Sequence, residues 1–146
     1  MTIICASTNT LTEWTNLALL LFPESTFEEE LSLHQKVLAS ENEIGLLYQI
    51  EDKYVGFMNI SIRTDYVNGT DTSPVVFIEA IYVLPKYREQ GIGRKFIEYA
   101  EIYAKQRGIT QIASDCFLDN TLSENFHKSC GFIEKERVIY FVKNIN

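Results

Sequence analysis

Apolar and polar positions along this chain repeat with two periods, near 3.6 and near 2, and each change of period marks an element. Residues 2–6 (TIICA) read as a short strand. Leu11, Trp14, Leu17, Ala18 and Leu21 then recur at helical spacing behind Thr10-x-x-Glu13, a capping box, and Pro23 stops that helix. Ser25-x-x-Glu28 opens a second helix to about Ala39, with Phe27, Leu31, His34, Val37 and Leu38 on one face. Glu28, Glu29 and Glu30 fall in its first turn, where the helix dipole favours anions. His34 sits on this helix and reads as structural. Residues 44–50 and 54–63 read as two strands joined by a turn at 51–53. Thr64 to Pro74 is a polar loop whose Asn68-Gly69 is a turn signal. Asn68-Gly69-Thr70 also fits a glycosylation sequon, but the turn reading is preferred.

The longest apolar run is Val75 to Leu84, rich in β-branched and aromatic residues and closed by Pro85. A short loop follows, Arg88-Glu89-Gln90-Gly91-Ile92-Gly93, and then a helix with Ile92, Phe96, Ala100, Tyr103 and Ala104 on one side. Gly108 is placed to end that helix as a C′ cap. Residues 109–114 read as a further strand. Thr121-x-x-Glu124 is a third capping box, opening a helix to about Ser129 with Leu122, Phe126 and Cys130 turned inward. Gly131 breaks it. Phe132 to Ile145 reads as a final pair of strands or one bent strand. The order β-α-α-β-β-β-α-β-α-β-β describes one mixed α/β domain, residues 1–146, with a central sheet and about four helices.

Composition narrows the function. The chain has 146 residues, enough for a core without staples. No apolar run approaches the ~20 residues that span a bilayer. The start, MTIICASTNT, lacks the basic and apolar regions of a secretory leader. Cys5, Cys116 and Cys130 have neither metal-site nor disulfide spacing, so a reduced, cytoplasmic protein without a metal is expected. The net charge is −7, which disfavours nucleic acid and anionic membranes as partners and favours cationic ligands. Any anion must therefore be held by a locally positive site.

Three places can carry chemistry. The strand–glycine-loop–helix at 75–104 aims free backbone N–H groups at whatever lies above the helix start, an arrangement suited to phosphate. It matches neither the P-loop nor the dinucleotide fingerprint, and a tight turn gives the same pattern. Glu79 is the only charge in its apolar run, and strand alternation puts it on a face with Phe77, Ile81 and Val83. A carboxylate there is costly unless paired or used. It could orient an alkyl ammonium and accept its proton, or be salt-bridged. Asp115 ends the strand 109–114 and is the second such carboxylate, with an ordinary loop Asp as the alternative. Asp119 and Asn120 are candidates for helix capping. Cys116 has no suitably placed His, which weighs against a thiolate nucleophile.

The loop Arg/Gln-x-x-Gly-x-Gly, set between a strand ending V-x-P-x-x-R and a long helix, with Gly131-Phe132 later, resembles the acyl-CoA pyrophosphate loop of the GCN5-related N-acetyltransferases. A narrower resemblance covers nearly the whole chain. Leu11-x-x-Trp14 running to Leu21-Phe22-Pro23-Glu24, the segment Arg63 to Thr70, Phe77 to Val83, Ala113-Ser114-Asp115 and Arg137 to Phe141 together are similar to the aminoglycoside 6′-N-acetyltransferases. That resemblance implies acetyl transfer from acetyl-CoA to the 6′-amino group of aminoglycosides. Carried over, it implies that Glu79 and Asp115 bind and deprotonate the amine, that Phe22 and Tyr66 line the sugar site, and that Glu136 adds negative charge. It implies that the backbone of Ile81, Tyr82 and Val83 holds pantetheine, with the Val83 N–H at the oxyanion. Glu89, Gln90, Gly91, Ile92, Gly93 and Arg94 would hold the pyrophosphate, and Asn120 would touch the cofactor. A homodimer is implied, with the loop near Tyr66 and the C-terminal strand as interface candidates. Phe22 stands where the family often has Trp. His127 stands where the superfamily often has a tyrosine acid, so a thiolate-protonating His and a packed, structural His are both open. Acetylation of a polyamine or a peptide amine, or a silent acyl-CoA sensor, are the competing readings.

Overall fold

A computed structural model describes residues 2–146; Met1, where the expected domain begins, lies outside them. Five strands, β1 (Thr2–Cys5), β2 (Glu43–Ile50), β3 (Lys53–Arg63), β4 (Val75–Val83) and β5 (Ile112–Ala113), form one sheet in sequence order. The first three pairings are antiparallel and only β4–β5 is parallel. A parallel pair needs a crossover, and helix α3 (Ile92–Lys105) supplies it. Helices α1 (Leu11–Leu21) and α2 (Phe27–Ala39) cover the other face, and α4 (Thr121–Ser129) lies beside α3.

Each face of the sheet has its own core. On the α3 side, Phe96, Ile97, Ala100 and Tyr103 pack against Leu46, Val55, Met58, Ile60, Val76 and Ile78. On the other side, Trp14, Leu17 and Ala18 pack against Leu47 and Phe57. Fully burying Phe57 or Phe96 contributes roughly 2–3 kcal/mol each. The Trp14 ring lies so close to β2 that a Cβ at Gly45 would collide with it.

Beneath β3 the α1/α2 core is closed by a polar cluster. The Trp14 indole N–H donates to Asn59 Oδ1 at 2.9 Å, leaving the Asn59 amide to face His34 Nε2 at 3.3 Å. His34 Nδ1 meets the Thr15 hydroxyl at 3.2 Å, and the imidazole stacks on the Trp14 ring with centroids 3.7 Å apart. His34 is structural, as its helix position implied.

Three expectations change. The helix caps are each displaced: Thr10 turns its hydroxyl back to the Ser7 N–H (2.9 Å), Thr26 rather than Ser25 caps α2, and Asn120 rather than Thr121 caps α4. At α1 the Ser7 backbone takes up the Thr10 hydroxyl; at α2 the neighbouring Thr26 hydroxyl reaches the N–H groups instead of Ser25, and at α4 the Asn120 side chain does so instead of Thr121. The strand 109–114 shrinks to Ile112–Ala113, because Ile109 is drawn into the end of α3. Its N–H bonds to Ala104 O (2.9 Å) and Gly108, at φ +68°, bonds to Lys105 O. This is the Gly108 cap the sequence implied. Finally, residues 132–146 form no strand. Phe132 packs on the core, but Ile139, Tyr140, Phe141, Val142 and Ile145 are 80–91% exposed, and Leu122 on α4 also faces solvent. Among the described residues this segment pairs with no strand, so the apolar pattern has no partner here.

Burial holds the His34 pKa down at about 4, against 6.5 in the unfolded chain. The unfolded state therefore takes up a proton first, so the His34 contribution is full above pH 6.5 and is lost as pH falls through 4, at a cost of about 3 kcal/mol. Urea unfolding followed from pH 7 to pH 4 is expected to show this decline, and His34→Gln to flatten it over the same window.

Candidate active site

The parallel β4–β5 pairing is two residues long, Val76 with Ile112 and Phe77 with Ala113. Beyond it β4 continues to Val83 with no strand paired on that side among the described residues, so one edge of the sheet is open over half a strand. Leu84 N–H donates to Val55 O at 2.8 Å on the far edge. Alternation in the antiparallel ladder then turns the N–H groups of Val83 and Ile81 toward the open edge, and that of Tyr82 toward β3. The structure thus brings Ile81 and Val83 to the cleft. Tyr82 stays outside it, with its side chain in the α1/α2 core and Arg88 over its ring. The Val83 carbonyl accepts from Arg88 Nε at 2.7 Å, which ties the following loop to the strand.

That loop ends in left-handed backbone at Glu89 (φ 62°) and Gly91 (φ 84°), and Gly91 is the N-cap of α3. Glycine has no side chain to cap with, so the N–H groups of Ile92, Gly93 and Arg94 keep no acceptor among the described residues. They form an anion site at the mouth of the cleft. Gly93 has a second reason to be glycine: a Cβ there would lie 2.6 Å from the Phe126 ring of α4. Arg94 reaches the Ser129 carbonyl at 2.8 Å, so it also joins α3 to α4. Gln90 bonds to Lys86 O, and Glu89 makes the turn.

Glu79 occupies a bulge. Asn59 faces Ala80 and Ile60 faces Ile78, which leaves Glu79 without a partner on β3. The extra residue corrects the expected alternation. Glu79 stays on the Phe77 side, while Ile81 and Val83 turn to the α3 core. The carboxylate is not buried in apolar surroundings but about one-third exposed and ion-paired. Oε1 accepts from Ser61 Oγ (2.6 Å), Arg63 Nε (3.0 Å) and the Arg63 terminal nitrogen (2.7 Å); Oε2 accepts only from Arg63, at 2.9 Å.

Asp115 follows β5 as Glu79 follows the paired part of β4, two residues beyond the Phe77–Ala113 pair and in the same direction. It is exposed and has no hydrogen-bond or ion-pair partner among the described residues. Its position is fixed from behind. His127 Nδ1 lies 2.7 Å from the Ser123 carbonyl, which can only accept, so Nδ1 carries the proton. Nε2 then accepts from the Ser114 hydroxyl at 2.8 Å. His127 latches α4 onto the residue before Asp115. Asn120 caps α4 through its Oδ1, leaving its amide hydrogens outward. Phe22, at the end of α1, and Tyr66, in the 64–74 loop, are both exposed. A Cβ at Gly69 would lie 2.6 Å from Lys135, so the C-terminal segment carrying Glu136 runs past the Tyr66 loop. Ser61, Arg63, Ser114 and Ser123 were not singled out from the sequence. The alternation Ser61-x-Arg63 opposite Phe77 and Val75 was a readable signal; the His127 contacts were not.

A sheet opened at a parallel pair, a helix start with unpaired N–H groups and two carboxylates beyond that pair make an arrangement suited to group transfer from a phosphate-bearing donor. The profile described as "Acetyltransferase (GNAT) family" matches residues 10–132, and the chain belongs to that family. It is 42% identical over 146 residues to an aminoglycoside N(6′)-acetyltransferase type 1 of Acinetobacter haemolyticus, covering all of both chains. It is 41% identical to one of Acinetobacter baumannii, covering 99% of each. Among solved structures it resembles an apo aminoglycoside 6′-N-acetyltransferase from Acinetobacter haemolyticus (39% identity, TM-score 0.92, all of both chains). It also resembles the enzyme AAC(6′)-Iy bound to the bisubstrate analogue CoA-S-monomethyl-acetylneamine (33% identity, TM-score 0.93, 99% and 98% of the two chains).

Removing the Asn120 cap with Asn120→Ala is expected to cost about 1 kcal/mol of stability in urea unfolding, and Asn120→Asp to restore it.

Proposed function

We propose that this protein transfers the acetyl group of acetyl-CoA to the 6′-amino group of aminoglycoside antibiotics, by direct attack of the amine, and so confers resistance. The carrying observation is the open β4 edge, with free N–H groups at one end and Glu79 and Asp115 at the other. The full-length similarity to aminoglycoside 6′-N-acetyltransferases supports the choice of substrate. Acetyl-CoA is the co-substrate and supplies the activated thioester. The residues present fit it: the N–H groups of Ile92, Gly93 and Arg94 suit its pyrophosphate, and those of Ile81 and Val83 suit an extended amide chain lying along the strand edge. No metal-binding cluster occurs among the described residues.

An aminoglycoside amine arrives as an ammonium and must lose a proton before it attacks. Glu79, already saturated at Oε1, orients it. Asp115, which has no partner, accepts the proton directly or through water. The Val83 N–H stabilises the oxyanion that forms as the amine adds. The thiolate then leaves without an enzyme acid at His127. Phe22, Tyr66 and Glu136 surround the remaining sugar rings, and Asn120 contacts the cofactor through its outward amide. The −7 net charge draws the polycationic substrate in.

The same reading includes a homodimer in the cytoplasm. Ile139, Tyr140, Phe141, Val142 and Ile145 are exposed apolar residues in a segment that forms no strand, and a second copy of this chain offers them a surface. No helix is long and apolar enough to cross a membrane among the described residues.

Thiol release from acetyl-CoA tests the function. Kanamycin is expected to turn over and a 6′-hydroxyl aminoglycoside not to; turnover of spermidine or a peptide alone would discard the antibiotic reading. Asp115→Asn and Glu79→Gln are each expected to lower kcat/KM for kanamycin on the order of a hundredfold, and unchanged kinetics in both would reject the site. Sedimentation equilibrium is expected to give a dimer, and Ile139→Asp with Phe141→Asp a monomer.

A further inference from the structure

Arg63 has no part in the chemistry described so far, yet it makes three of the four hydrogen bonds that Glu79 accepts. It is the last residue of β3, opposite Val75, and the loop bearing Tyr66 starts at the next residue. Its guanidinium carbon sits 3.7 Å from the centroid of the Phe77 ring, stacked on it. Phe77 is in turn buried against Val67, Val75 and Ala113. The guanidinium plane is thus fixed by a ring that belongs to the sheet itself. From that plane, Nε and the terminal nitrogen grip the Glu79 carboxylate as a fork. Ser61, one alternation back on β3, adds its hydroxyl to the same oxygen.

The consequence is asymmetric. Oε1 accepts three hydrogen bonds and is saturated. Oε2 accepts one and is the oxygen left to receive another donor. A bulged residue has no ladder bond on its β3 side to fix it, and a free glutamate there would sample several rotamers. With the fork in place a single oxygen is presented in a single direction.

We infer that Arg63 is a positioning residue for the transfer proposed above: through its planar fork, and not through its charge alone, it sets the orientation in which Glu79 Oε2 meets the substrate amine. This rests on the aminoglycoside reading. A misoriented carboxylate still attracts an ammonium, so binding survives, while the attack geometry is lost. Lysine keeps the charge but is a point donor without the fork. The pair is well exposed and adds little to stability, so the fold does not depend on it.

The test is steady-state kinetics with kanamycin and acetyl-CoA on the wild type, Arg63→Ala and Arg63→Lys, with melting temperatures alongside. Expected is a kcat roughly ten- to a hundredfold lower in both variants. KM for kanamycin is expected to stay within about threefold, as is KM for acetyl-CoA, since the anion site is untouched. Melting temperatures are expected to match the wild type; should Arg63→Ala not fold, Arg63→Lys carries the comparison. Recovery of kcat in Arg63→Lys overturns the inference, because charge alone would then suffice. So does a wild-type kcat in Arg63→Ala, or a raised kanamycin KM at unchanged kcat, which would make Arg63 a binding group. A wild type that turns over no aminoglycoside fails at the earlier step, and the inference falls with it.

Discussion

Two residues of parallel pairing decide what this molecule can do. β5 joins β4 at Val76 and Phe77 and then stops, while β4 runs on to Val83. A sheet edge is ordinarily a liability that proteins cover or charge. Here it is kept open, and the N–H groups of Ile81 and Val83 are what it offers. Because the pairing is parallel, α3 must cross over, and its start is delivered to the same end of the sheet as the open edge. The anion site and the strand edge therefore share one geometric origin. Asp115 shares it too, since it is the first charged residue after β5 gives out.

The bulge at Glu79 depends on the strand beside it. Asn59, where the β3–β4 register slips, sends its side chain into the α1/α2 layer, where the Trp14 indole and His34 hold it. The Gly45 backbone lets Trp14 lie flat enough to make that bond. Packing between the sheet and the α1/α2 layer thus pins β3 at the irregular pair. Farther along the same face of β3, Ser61 and Arg63 take over the role that a ladder partner would have had. The costliest group in the cleft is held by polar neighbours rather than by burial.

Periodicity made most of the fold legible. Four helices, the strands from 43 to 83 and the Gly108 cap follow from spacing and turn chemistry alone. The glycine loop and both carboxylates could be named because their residue types are scarce in such surroundings. The bulge could not, since one inserted residue leaves no mark on an all-apolar strand, and it reversed the face on which Ile81 and Val83 lie. Caps slipped because the Ser7 backbone takes up the Thr10 hydroxyl, and because Thr26 and Asn120 stand beside Ser25 and Thr121 and cap in their place. The largest departure is at the end of the chain. Its alternation is that of a strand, but alternation says only that one face is to be buried, not within which molecule.

That segment, Val138 to Val142, also carries a hazard. It is short, apolar, β-branched and aromatic, without proline or charge, which is the composition of segments that stack into cross-β aggregates. Uncovered in the single chain, it needs no unfolding to become available. The segment is therefore an aggregation hazard that does not depend on the cleft, the helices or the sheet coming apart.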